Sequence, residues 1–218
     1  RTVLNLFWLL RDTRARVLSH VEFAPGVLER LRRHQPTVML GAHLGNWEFI
    51  AQASVLSGLP VLCVAKQIGS PAMTALLTNQ RMLLGLEVIP VEGAARPLIR
   101  ALRDGKHVGV LIDQHTSAAE GGVWCDFFGL PVAVSQTPAT LARKLGVPVL
   151  FVWARPLKGG RTRIEGSDLF LPDPSLPDAA RTQQLTHAIE RVIRRHPSLW
   201  CLHYRRWLNV EDGFYDEA

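Results

Sequence analysis

Apolar and polar positions alternate along this chain between two periods. Short runs of apolar residues read as buried strands: Thr37 to Leu40, Pro60 to Ala65, Glu87 to Val91, His107 to Ile112, Val147 to Ala154 and Arg161 to Glu165. Between them lie stretches whose apolar residues recur at helical spacing: Val27 to Arg33, Phe49 to Leu56, Pro71 to Leu84, Ala95 to Arg103, Ser135 to Leu145 and Ala179 to Arg195. Ser135 is placed to cap its helix. Gly85 and Asp104-Gly105 mark helix ends. Buried strands in alternation with amphipathic helices predict an α/β fold: a mostly parallel central sheet of about six to seven strands, with helices on both faces. No repeat or linker divides the chain, so residues 1–218 are expected to form a single domain.

In such sheets, sites form beyond the carboxyl ends of the strands. Two polar clusters fall there. The first is Gly41-Ala42-His43-Leu44-Gly45-Asn46-Trp47-Glu48, after the first strand. The second is Asp113-Gln114-His115, after the fourth. Their placement predicts one shared site. On a continuous helix, residues five apart point about 140° away from each other. Gly45 and Asn46, however, tolerate the turn geometry that would fold His43 back over Glu48. Glu48 is then expected to accept from one imidazole nitrogen, leaving the other free as a base. Backbone donors of the Gly45-Asn46 turn are candidates for holding an oxyanion.

Charge narrows the partners. The net charge of +6 and a pI near 9.8 point to contact with something anionic: phospholipid headgroups, a phosphorylated substrate, an acidic carrier protein or nucleic acid. Cys63, Cys125 and Cys201 form no Cys-x-x-Cys pair, which fits reduced thiols on a cytosol-facing domain. No apolar run reaches the length of about 18 residues needed for a membrane span. The nearly all-apolar Val3 to Leu10, followed by Arg11, Arg14 and Arg16, is either a core helix or a membrane-surface helix with a basic flank.

The string His43-Leu44-Gly45-Asn46-Trp47-Glu48 directly after an apolar strand resembles the late acyltransferases of lipid A biosynthesis, within the wider glycerolipid acyltransferase superfamily. The resemblance runs in matching order from about Thr2 to Trp207. Arg81, four residues before Gly85, is similar to the arginine that positions the polar substrate in relatives; its planar fork suits phosphate, though a solvated helix arginine would look the same. Asp113-Gln114 resembles the family's acidic position, which would orient Arg81 or cap a loop. Phe127-Phe128-Gly129 resembles a Phe-Phe-Gly block, whose aromatics would line an acyl tunnel or fill the core. Gly129 would give a ligand room, and Thr137 near the next helix start would hold phosphate. Trp200 to Trp207 resembles the closing Trp-x-x-His-x-Arg-Arg-Trp block, suited to a headgroup interface or to packing on the sheet. Relatives often carry a Glu near the position of Asn5, and usually a preceding membrane helix. Because the chain opens on Arg1 in mid-pattern, that anchor is expected to be missing from this piece.

The resemblance implies an O-acyltransferase without a cofactor or metal. It would move a fatty acyl chain from acyl carrier protein or acyl-CoA to a hydroxyl of a membrane glycolipid such as a lipid A precursor, at the cytoplasmic face of the cell inner membrane, with no nucleic-acid partner. His43 would be the base and Glu48 its partner. Direct transfer fits the lack of a Gly-x-Ser-x-Gly nucleophile elbow. Two other classes compete with this reading. One is a metal-dependent lipid hydrolase using His43, Glu48, Asp113 and His115, against which stands the missing His-Glu-x-x-His pattern. The other is a non-catalytic module binding anionic lipid or nucleic acid through the basic surface.

Overall fold

The computed structural model describes residues 13–67, 69–201 and 206–207. The segment Val3 to Leu10 lies outside them. Along the chain run α1 (Thr13–His20), β1 (Val21–Phe23), α2 (Val27–Arg33), β2 (Val38–Gly41), α3 (Glu48–Leu56), β3 (Val61–Ala65), α4 (Pro71–Leu83), β4 (Glu87–Pro90), α5 (Ala95–Arg103) and β5 (His107–Leu111). There follow β6 (Gly122–Phe127), β7 (Leu130–Ser135), α6 (Thr137–Leu145), β8 (Val149–Pro156), β9 (Thr162–Phe170) and α7 (Asp178–Arg195).

Seven strands form one sheet in the order β1-β9-β8-β2-β5-β3-β4. The run from β8 to β4 is parallel throughout. At the other edge β9 turns antiparallel to β8, and β1 pairs parallel with β9. The mostly parallel sheet anticipated from the apolar runs is therefore present, with a reversed edge added.

Period-two alternation divides the core between the two faces. Val38 and Leu40 of β2, with Val149 and Phe151 of β8, face α5, α6 and α7. Met39, Leu150 and Val152 face α1, α2 and α3. Helix α7 buries Leu185, Ala188, Ile189, Val192 and Ile193, one stripe at helical spacing. Burial of such a face at roughly 25 cal/mol per Å² is what seats the helix.

Three strands, β1, β6 and β7, carry little readable pattern. Strand β1 is only three residues long and has Glu22 at its centre, so nothing alternates. The β6–β7 hairpin comes from the stretch read as a Phe-Phe-Gly block. Phe127 pairs with Leu130, leaving Phe128-Gly129 as a two-residue turn. Both have positive φ, 61° and 81°, as a type I′ turn requires. Gly129 thus serves the turn, and its N–H donates to Asp126 Oδ1. The hairpin docks on α7: Gln183 accepts from the Asp126 N–H and donates to the Asp126 carbonyl, and Glu190 accepts from the Phe128 N–H.

At the opposite end of the sheet from the clusters of interest, His107 opens β5 fully buried, and neither ring nitrogen has a good hydrogen-bond partner. Burial pushes its pKa down to about 4, only partly offset by the backbone of Thr37. A folded pKa below the unfolded value means the neutral form is favoured by folding. That stability is complete above the usual histidine range and is lost as pH falls through about 4. The shift corresponds to roughly 3 kcal/mol. Urea unfolding of wild type and His107→Leu at pH 7 and pH 4.5 should therefore converge toward acid, the variant losing less. Parallel pH dependence in the two proteins would contradict this.

Candidate active site

Strands β2 and β5 lie side by side in parallel, with Gly41 opposite Leu111. His43 and Asp113 each sit two residues past those ends. Continued register therefore brings them together at the carboxyl edge of the sheet. Asp113 Oδ1 accepts from His43 Nδ1 at 2.8 Å, and Oδ2 accepts from the His43 backbone N–H at 2.8 Å. The Trp200 indole N–H also donates to Oδ2, at 3.1 Å. Burial pushes the Asp113 carboxyl up. The His43 imidazole, the His43 N–H and Trp200 more than offset this, and hold it below the usual carboxylate range.

An ionised carboxylate can only accept, so Nδ1 of the neutral ring carries the proton. Nε2 is left with a lone pair. Trp47 packs against the ring edge-on, at 4.8 Å between centroids. His43, Asp113, Gln114, Trp200 and Cys201 line a small cavity at this point.

This corrects the expected pairing. Glu48 makes no hydrogen bond to His43. Its carboxylate instead meets Arg81 in a two-pronged ion pair, Arg81 Nε to Oε2 at 3.0 Å and Nη2 to Oε1 at 2.6 Å. Both side chains are about nine-tenths buried. Asp113, expected to orient Arg81 or cap a loop, thus holds the histidine, and Glu48, expected on the histidine, holds Arg81. The reason is local geometry. Glu48 opens α3, where a carboxylate suits the positive helix end, and faces α4 rather than the imidazole. Beside this pair, burial first and the charge of Glu48 second push the Cys63 thiol up to about 12, against pulls from Arg81 and the Gly109 N–H. Cys63 stays a protonated packing residue.

The remaining candidates divide. Gly45 has φ +58°, and a Cβ there would lie 1.9 Å from the Ala154 carbonyl oxygen. Its N–H donates to the Leu199 carbonyl at 2.8 Å and so does not serve as the anticipated oxyanion donor. Asn46 is buried and both polar atoms of its side chain lack partners. Phe127 lies in the core and Phe128 in the hairpin turn; neither lines the cavity. Thr137 is engaged by Ser135, whose hydroxyl donates to Thr137 Oγ1 and accepts from the Thr137 N–H, while Gln136 holds the cap position. The headgroup-interface reading of the closing block fails at Arg206. That side chain is 1% exposed, donates to the Ala133 carbonyl and lies over the Phe127 ring.

Trp200 is the contact that sequence reasoning missed. The Trp-Arg block is visible as a motif, but nothing in it shows an indole reaching an aspartate 87 positions away.

The turn at Gly45 yields a direct test. Alanine there meets an unyielding backbone oxygen and a left-handed φ together, a combined cost of at least about 2 kcal/mol. Gly45→Ala should lower the urea midpoint by that amount. An unchanged midpoint would show that the loop has room to shift.

Among solved structures, the fold matches the 1-acyl-sn-glycerophosphate acyltransferase PlsC of Thermotoga maritima, with a TM-score of 0.51 at 14% identity, covering 86% of this chain and 76% of that one. The two proteins accordingly share their α/β architecture. The family model for bacterial lipid A biosynthesis acyltransferases matches residues 13–209, and the chain belongs to that family. Curated relatives include phosphatidylinositol mannoside acyltransferases. That of Mycobacterium tuberculosis (strain CDC 1551 / Oshkosh) is 28% identical over 172 residues, 76% of this chain and 52% of the relative. That of Mycolicibacterium smegmatis is 26% identical, over 76% and 55%. The chain spans about half the length of the curated relatives it matches.

Proposed function

We propose that this protein is an O-acyltransferase that esterifies a hydroxyl of a membrane glycolipid with a fatty acyl group from a thioester donor, with His43 as general base and Asp113 as its orienting partner. The observation that carries this reading is the His43 Nδ1–Asp113 bond, which leaves Nε2 as an acceptor beside a cavity at the sheet edge. Nε2 takes the proton of the acceptor hydroxyl as its oxygen attacks the thioester carbonyl. The tetrahedral intermediate collapses, the carbon–sulfur bond breaks, and the imidazolium returns the proton to the leaving thiolate. Asp113 stabilises the imidazolium in between.

Family membership and the relatives' names support a glycolipid acceptor. Lipid A precursors and mannosylated phosphoinositides are the two classes to try. Acyl carrier protein and acyl-CoA are both suitable donors, and the net charge of +6 favours an acidic carrier. Among the described residues no helix is long and apolar enough to cross a membrane. In this reading the glycolipid acceptor is met at the inner-membrane surface, to which the net charge of +6 would be drawn. Glu48 and Arg81 act in this reading as a rigid support between α3 and α4, while Gln114 lines the cavity where the polar substrate would sit.

Mass spectrometry of reactions with long-chain acyl-CoA or acyl carrier protein thioester, and vesicles of either glycolipid class, tests this. One added acyl ester is expected, and none with His43→Ala. No acylated product from any pairing, or equal product from His43→Ala, would overturn it.

A further inference from the structure

We propose that Trp200 is a positioning residue of the transfer reaction: its indole N–H holds Asp113 Oδ2, so that Oδ1 stays presented to the His43 imidazole. This rests on His43 as the base and adds a third chain segment to the site.

Asp113 is nearly buried, yet a carboxylate can still turn about its Cβ–Cγ bond. Two donors on one oxygen prevent that. They are the His43 backbone N–H at 2.8 Å and the Trp200 indole at 3.1 Å. With Oδ2 tied down twice, Oδ1 remains at 2.8 Å from Nδ1. The hydrogen bond that sets the tautomer therefore depends on where the indole sits.

The indole position is fixed from two directions. Its backbone is zipped to the loop that carries His43. Gly45 donates to the Leu199 carbonyl at 2.8 Å, Cys201 donates to the His43 carbonyl at 3.1 Å, and Leu44 and Trp200 form an antiparallel bridge. Its ring is held by aromatic neighbours. Phe128 stacks on it with 17° between planes, and Phe127 meets it edge-on at 5.6 Å. Phe128 is itself clamped by the Arg194 guanidinium 4.7 Å over its ring, and by Glu190, which takes both the Phe128 N–H and the Arg194 side chain. That clamp holds Phe128 at a positive φ that a bulky side chain rarely adopts. The closing segment of the fold thus braces the base from behind, through a ring that need not touch substrate to act.

Trp200→Phe keeps the stacking and removes the donor. With release of coenzyme A from palmitoyl-CoA as the assay, kcat should fall about tenfold, the scale of one lost hydrogen bond to a charged group, with KM little changed. The acidic limb of the rate profile should also move to higher pH, because a carboxylate relieved of one donor gives more of its charge to the imidazolium. A purely structural tryptophan would leave that limb in place. Wild-type kcat and an unmoved limb in folded Trp200→Phe, alongside an inactive His43→Ala, would overturn the role of Trp200 alone. Activity in His43→Ala would overturn the base assignment instead, and this role with it. If Trp200→Phe does not fold, indole ¹⁵N resonances of the Trp47→Phe protein replace it. One indole N–H should titrate together with the His43 ring protons, since both sit on one carboxylate. No indole following that titration would overturn the proposal.

Discussion

Asp113→Asn should slow acyl transfer by a factor of about 10² to 10⁴, the range general-base catalysis supplies, while leaving the protein folded. An amide in place of the carboxylate can donate as well as accept. It would stabilise either imidazole tautomer and would offer no charge to the imidazolium. Binding of the lipid should persist, so the loss falls on kcat. His43→Ala should be at least as slow, and the double variant scarcely slower than either, because the two groups act as one unit. Rates that multiply independently in the double variant would show that they do not. Spacing along the sequence favours Glu48 for this role, and the two carboxylates are told apart by which loss leaves the fold intact.

Glu48→Ala should lose stability before it loses chemistry. The Arg81 guanidinium is about nine-tenths buried and pairs through two nitrogens with this one carboxylate. Removing the acid strands a buried cation, and breaking such a pair costs about 3–5 kcal/mol. Glu48→Leu combined with Arg81→Met should recover much of that loss, since an apolar pair of similar volume avoids the desolvation cost. Urea unfolding of the two singles and the double measures it as a cycle. A double variant no more stable than Glu48→Ala would mean the ion pair is not what holds α3 to α4. A stable Glu48→Ala with an Asp113-like loss of kcat would return Glu48 to the chemistry.

The two carboxylates were exchanged for a reason that lies in the kind of information a sequence carries. Glu48 is five residues from His43 and invites a local pairing; Asp113 is seventy residues away. Local spacing can be weighed from residue types alone. Adjacency of β2 and β5 cannot, because the chain makes β3 and β4 before it returns to place β5 against β2. The same limit hid the hairpin. Cys125 and Phe127 point inward while Trp124 and Asp126 face out, but the strand opens on glycine and mixes polar with aromatic residues, so the alternation is faint.

By itself the sequence determined the elements of the parallel sheet, since buried strands and one-faced helices impose different periods on their apolar residues. It also determined that His43 and Asp113 would leave the same edge, because each follows a strand of like direction. Which acid holds the imidazole, which supports the arginine, and that Trp200 closes the cluster were decided only by the tertiary structure. Strand order and register set those distances, and neither is a property of any local stretch of chain.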